Sequence, residues 1–231
     1  MVGINWPAFR GEERQAAQLI SHNLFSLDHH VRLFRTALAL ADYCDSTRAE
    51  FRGLVMAPSG SSMDRYYDAM QRNLQFIEWK ILAMRDAAIT LNNFAECKQA
   101  LEKLIGKCPS FQDKLDREAY REAGRIWEKE FPGYADIRLS VAHSGKLFNA
   151  PGKRQEHTVP GTDTVMGVMV DERTMSTSIG GKMPTYSLVE ETAVTLENIR
   201  DAIYRAYAPI SDYSRQLPTI HEETPQPPAE D

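Results

Sequence analysis

Arg138 and His143 are separated by four residues in the run Asp136-Ile137-Arg138-Leu139-Ser140-Val141-Ala142-His143-Ser144-Gly145. Arginine can bind a phosphate with two parallel hydrogen bonds and stabilise its charged transition state. Histidine titrates near neutrality and can move a proton to or from a hydroxyl. Together they suit cleavage of RNA without a metal. The ribose 2′-hydroxyl would be the internal nucleophile, leaving a cyclic phosphate and a 5′-hydroxyl. DNA, lacking that hydroxyl, would resist. On a helix the two residues lie about 140° apart, so they do not share one face. A flexible arginine could still bend toward the histidine, and two copies about a twofold axis would gather two of each in one cleft. The structural alternative is an arginine paired with an acidic neighbour and a histidine closing the helix before Gly145.

Other chemistries lack their residues. There is no Glu-x-x-His, His-x-x-x-His or Cys-x-x-Cys, so no metal site is expected. There is no phosphate-binding loop of the Gly-x-x-x-x-Gly-Lys-Ser/Thr type. His143, Ser140 and Ser144 lack the strand-rich scaffold of a hydrolase triad. His29 and His30 are adjacent, and one solvent-facing and one packed histidine is the expectation. Arg215 and His221 form a similar pair, with five residues between them, but they fall where a disordered tail is expected. Cys44, Cys97 and Cys108 read as reduced thiols.

At Ile137-Arg138 and Ala142-His143 the chain resembles the HEPN superfamily, the higher eukaryotes and prokaryotes nucleotide-binding domains. It looks closest to the abortive-infection branch, where a long helix precedes the motif, as Ile81 to Leu91 does here. The resemblance implies a helical bundle, often dimeric, and metal-independent ribonuclease activity in phage defence or a toxin system. It implies Arg138 and His143 as catalytic residues, RNA as ligand, a homodimer and an antitoxin or other protein partner. No cofactor is implied. Leu139 stands where the family commonly has a polar residue. Lys146, Lys153 and Arg154, with His157, form a basic stretch that could hold RNA phosphates. Phe148 nearby reads as a core anchor.

These residues need a scaffold, and apolar spacing predicts a helical one. Residues 9–25 read as a first helix, with Ala16, Leu19, Ile20 and Leu24 at helical spacing. Asp28 reads as the cap of a second, carrying Val31, Phe34, Leu38, Ala41 and Cys44 to about Val55. Residues 57–62 are a break. A long helix follows from about Met63, buried through Tyr66, Met70, Leu74, Ile77, Ile81, Met84 and Ala88. Asn92-Asn93 would interrupt it, and a shorter helix would continue to Ile105. Residues 111–130 read as a charged helix with pairs Asp113–Arg117, Glu118–Arg121 and Glu122–Arg125. It would be stopped at Phe131-Pro132-Gly133. A short helix, Tyr134 to Lys146, carries the motif. A loop over 149–164 leads to strands at 165–170, 174–179 and 185–188, then a helix from Leu188 to Tyr207. Tyr66-Tyr67, Trp79 and Trp127 read as core or dimer-face residues. The fold class is mainly α: an antiparallel helical bundle with a small β-hairpin or meander inserted before the last helix. One HEPN-like domain would span 1–210, with its β insertion at about 163–189, and 211–231 would be a disordered, acidic, proline-rich tail.

Composition sets the outer bounds. The 231 residues carry 27 Lys and Arg against 32 Asp and Glu, a formal net charge of -5. That balance argues against a bulk electrostatic nucleic-acid binder and leaves room for a local basic site. No apolar run reaches the roughly eighteen residues of a membrane span. The polar opening MVGINWPAFRGEERQ does not read as a signal peptide, and a cytoplasmic location without membrane association is expected. Leu139 and the acidic charge favour a second reading, a non-catalytic bundle acting as a dimeric protein-interaction module.

Overall fold

The computed structural model describes residues 2–56, 63–143, 158–159, 161–162, 169–179 and 181–220, without the side chains of 51–56, 140, 142 and 143. The chain is mainly helical. Among the described residues, six α-helices surround one core, with a three-stranded sheet ahead of the last helix.

Two long helices form the frame. Helix α1 runs unbroken over Gly11–Met56, about 69 Å at 1.5 Å per residue. The expected break at Asp28 does not occur. No proline interrupts the run, and the Asp28 carboxylate turns outward to Arg200 at 3.0 Å and Arg32 at 3.5 Å. A capping residue type is thus used for tertiary pairing. Val31, Phe34, Leu38, Ala41 and Cys44 are buried as their spacing requires, whereas Leu19 is exposed. Helix α2 spans Met63–Ile105, also without a break. Asn92 is accommodated by donating from Nδ2 to Glu96 Oε1 at 2.7 Å, one turn on. The buried edge of α2 follows Ala69, Phe76, Lys80, Ala83, Ala87, Leu91 and Phe94, and Leu74 points outward. Apolar residues occupy two faces of α2, so spacing alone does not choose between them.

The shorter helices close the core against this pair. Helix α3, Pro109–Gln112, is a single turn that buries Phe111 edge-on to Phe9, with ring centroids 5.0 Å apart. Helix α4, Arg117–Glu130, begins where the Asp116 side chain accepts from the Glu118 and Ala119 amides. Its Trp127 stacks on Phe94. Glu118 pairs with Arg121 and Arg125, while Glu122 reaches Arg205 of the last helix rather than Arg125. Gly133, at φ +76°, reverses the chain after α4. Helix α5, Tyr134–His143, then packs on α2 through Ile137 and Val141.

Helix α6 spans Glu190–Gln216 and runs past the expected end at Tyr207, through Pro209. Proline removes one helical hydrogen bond, at a cost of about 3 kcal/mol. Tertiary contacts offset it. Tyr207, Ile210, Ser211 and Ser214 are buried. Ser211 Oγ donates to the Gly3 carbonyl at 2.6 Å, and Ser214 Oγ accepts from the Asn5 amide at 3.0 Å. Residues 211–216 are therefore helix rather than tail, and the Ile220 amide still bonds to the Pro7 carbonyl. Residues 221–231 lie outside the described residues.

The sheet is an antiparallel meander in the order β1 (Met169–Asp171), β2 (Thr174–Ser176), β3 (Thr185–Ser187). Its register sets Val170 opposite Met175, and Met175 opposite Tyr186. Met175 and Tyr186 are buried, and the Tyr186 hydroxyl donates to the Met84 carbonyl, fastening the sheet to α2. Strands β2 and β3 are shorter than expected: Ile179 joins Lys182 in a separate bridge around Gly181, and Leu188 is buried beyond β3. The expected strand residues 165–168 fall outside the described residues.

Candidate functional site

Helix α5 carries both residues of the candidate pair, Arg138 and His143. Ile137 and Val141, one turn apart, are its buried edge. Tyr134 accepts at its hydroxyl from Gln99 Nε2 at 3.1 Å, and Arg85 Nη2 donates to the Val141 carbonyl at 3.4 Å. These contacts place α5 along the second half of α2. Arg138 lies beside the buried edge, exposed, with no hydrogen bond or ion pair among the described residues. His143 is the last described residue of α5. Its position is about 7.5 Å along the axis from Arg138 and about 140° around it. Leu139 is exposed. The basic stretch of Lys146, Lys153, Arg154 and His157, and Phe148 with it, lies outside the described residues. Arg215 sits in the last turn of α6, 3.8 Å from Asp212, so a helical scaffold is present there, and His221 lies outside the described residues.

A cleft of about 520 Å³ opens between α1, α2 and the β1–β2 turn. At its base Lys80, a lysine whose side chain is only 9% exposed, holds both oxygens of Asp45, at 2.7 and 3.0 Å. Arg173 reaches the same Asp45 at 2.8 Å and Asp42 at 2.6 Å, while its Nη1 is buried without a partner among the described residues. Glu172 makes the turn at φ +46°. Arg48, Asp171 and Glu172 line the cleft as well, giving three cationic and three anionic side chains with Asp45. Such a balance does not make a phosphate-tracking groove. The spacing of these residues carries no signal, because Lys80 lies 35 residues from Asp45 and Arg173 lies 131 from Asp42. Ile81 lines the cleft, and Arg85, one turn further, meets α5. The cleft and the end of α5 are thus neighbours along α2.

The remaining candidates resolve into packing. Cys44, Cys97 and Cys108 are free thiols. Burial pushes Cys97 and Cys108 up to about 11, aided by Glu96 and Glu13 respectively, which leaves both protonated at neutral pH. His29 is exposed and His30 half-buried, with the His30 Nδ1 sealed from solvent and unpartnered. Burial, then the neighbouring His29, pulls His30 below the ordinary histidine range. Trp127 is core. Trp79 and Tyr67 are exposed, Trp79 packing edge-on to Phe76. Among the described residues no group of three or more His, Cys, Asp or Glu side chains could hold a metal ion. No helix among them is long and apolar enough to cross a membrane. Comparison with protein-family models, curated proteins and solved structures gives no match.

Proposed function

We propose that this chain is a HEPN-like RNA-binding protein that cleaves RNA without a metal, using Arg138 and His143, in phage defence or a toxin system. One observation carries the reading: an exposed arginine, unpartnered among the described residues, on a bundle helix that also carries His143. A guanidinium in that state is available to a phosphate. Its charge would stabilise the phosphorane as the 2′-oxygen attacks and the 5′-oxygen leaves. His143 would carry the proton, taken from the 2′-hydroxyl or given to the 5′-oxygen. Lys146, Lys153 and Arg154 would hold flanking phosphates. Product analysis tests the step itself. RNA incubated with EDTA should yield 2′,3′-cyclic phosphate and 5′-hydroxyl ends, and a single 2′-deoxy substitution should block cleavage at that site. Cleavage that persists at the 2′-deoxy position would reject the mechanism.

The second reading, a non-catalytic protein-interaction module, draws on the exposed apolar side chains of the long helices, among them Leu74, Leu82 and Ile89, beside the exposed Leu139. It predicts a stable protein partner, such as an antitoxin, and no RNA cleavage.

A further inference from the structure

Helix α2 has a second apolar face, turned away from α1. Leu74 is 51% exposed, Leu82 57% and Ile89 39%, although all three are large aliphatic residues. Between them on the same stripe stand Glu78 and Arg85. The steps from 74 to 78, 82, 85 and 89 are those of one helix face. Isolated exposed leucines are ordinary, but a stripe spaced this way is the pattern of a helix contact.

The order of residues along the stripe is symmetric in chemistry. Read from either end it runs aliphatic, charged, aliphatic, charged, aliphatic, with opposite charges at the two charged places. Laid antiparallel on a second α2, with the axis between Ile81 and Leu82, Leu74 meets Ile89 of the second copy and Glu78 meets its Arg85. Leu82 meets Ile81 at the centre, and Tyr67 meets Glu96 at the ends. A parallel arrangement would set Glu78 against Glu78 and Arg85 against Arg85. Like charges opposed in this way select against that orientation. Glu78 forms no ion pair among the described residues, and Arg85 uses only its Nη2.

We propose that this stripe is the face on which a second copy of the chain docks, α2 against α2, antiparallel, with two Glu78–Arg85 pairs flanking the twofold axis. Self-complementarity of one patch is what an isologous interface requires. The section from Leu74 to Ile89 covers about 22 Å of helix and that from Tyr67 to Glu96 about 43 Å. Arg85 lies about 5 Å along the helix from the axis, so the ends of the two α5 helices flank it. The interface rests on the α2 pattern and stands whether or not the chain cleaves RNA.

The test is the mass of the full chain by sedimentation velocity, for the wild type, E78R, R85E and the double variant E78R/R85E, with circular dichroism to check the helical content. The wild type is expected at twice the 26.2 kDa of one chain. Each single variant places two like pairs across the axis and should weaken association at least about tenfold. The double variant exchanges the charges and should restore association to within about threefold of wild type. It also retains the loss of the Arg85–Val141 contact, so recovery isolates the charge pairing. A wild type that is monomeric at about 100 µM would overturn the proposal. So would a dimer indifferent to either single variant, or a double variant no tighter than the singles.

Discussion

Replacing Asp45 with alanine leaves Lys80, 9% exposed at its side chain, as a buried cation without the one carboxylate it has among the described residues, and removes one of the two acids that hold Arg173. Breaking a buried pair from one side costs about 3–5 kcal/mol. The Asp45 side chain is 33% exposed, so water reaches part of the site and the cost falls to or below the bottom of that range, about 2–3 kcal/mol. Lys80→Met removes the cation together with its desolvation cost and keeps an unbranched apolar stem in place. Asp45 still has Arg173, so the loss should be about 0–1 kcal/mol. The double variant should lose less than Asp45→Ala alone, because the stranded cation is gone. Urea unfolding with a common slope gives the three values. In thermal unfolding Asp45→Ala should fall by about 4–12 °C for a domain of this size. If Lys80→Met destabilises as much as Asp45→Ala, or the double variant equals the sum of the singles, the Asp45–Lys80 pair is not what holds this end of the helix pair together.

Three further outcomes follow from particular contacts. Asp116→Ala removes the side chain that accepts from the Glu118 and Ala119 amides at 3.0 and 3.1 Å, and chemical denaturation should show a loss of about 1 kcal/mol. Gly133→Ala is strained twice, by φ +76° and by a Cβ only 3.0 Å from Pro184 Cβ, so it should lose at least about 1–2 kcal/mol in the same assay. His30 is held below its ordinary value of 6.5 by burial and then by His29. The unfolded chain therefore binds the proton first as pH falls, and stability drops from about pH 6.5 downward through the lower folded value. Thermal melts of His30→Leu should lack that part of the decline. A carboxylate contribution from Glu197, lowered chiefly by its hydrogen bond from Arg35, would fade only at more acid pH.

Periodicity made much of the fold legible, and it failed where distant residues decide. The stripe from Val31 to Cys44 is buried as its three- and four-residue steps require. Leu74 was expected in the core because α2 has apolar residues on two faces, and Phe76 faces inward instead. Asp28 has the chemistry of a cap, but its partner Arg200 lies 172 residues away. Pro209 marks a stop, yet burial of Ile210, Ser211 and Ser214 against the N-terminal segment carries α6 to Gln216. The same limit applies to the site. Arg138 and His143 stand out as a candidate pair because type and spacing within one helix are local features. The Asp45–Lys80–Arg173 cluster is not, since three separate elements bring it together.

The roles of Arg138 and His143 are tested by cleavage of a mixed-sequence RNA in EDTA, beside a matched DNA, by the wild type, Arg138→Ala and His143→Ala. Arg138 is exposed and unpaired among the described residues, so its alanine variant should keep the wild-type unfolding midpoint. RNA alone should be cleaved, and each variant should cleave it at least about a hundredfold more slowly. Wild-type protein that leaves RNA intact, or variants that cleave as fast as wild type, would contradict those roles.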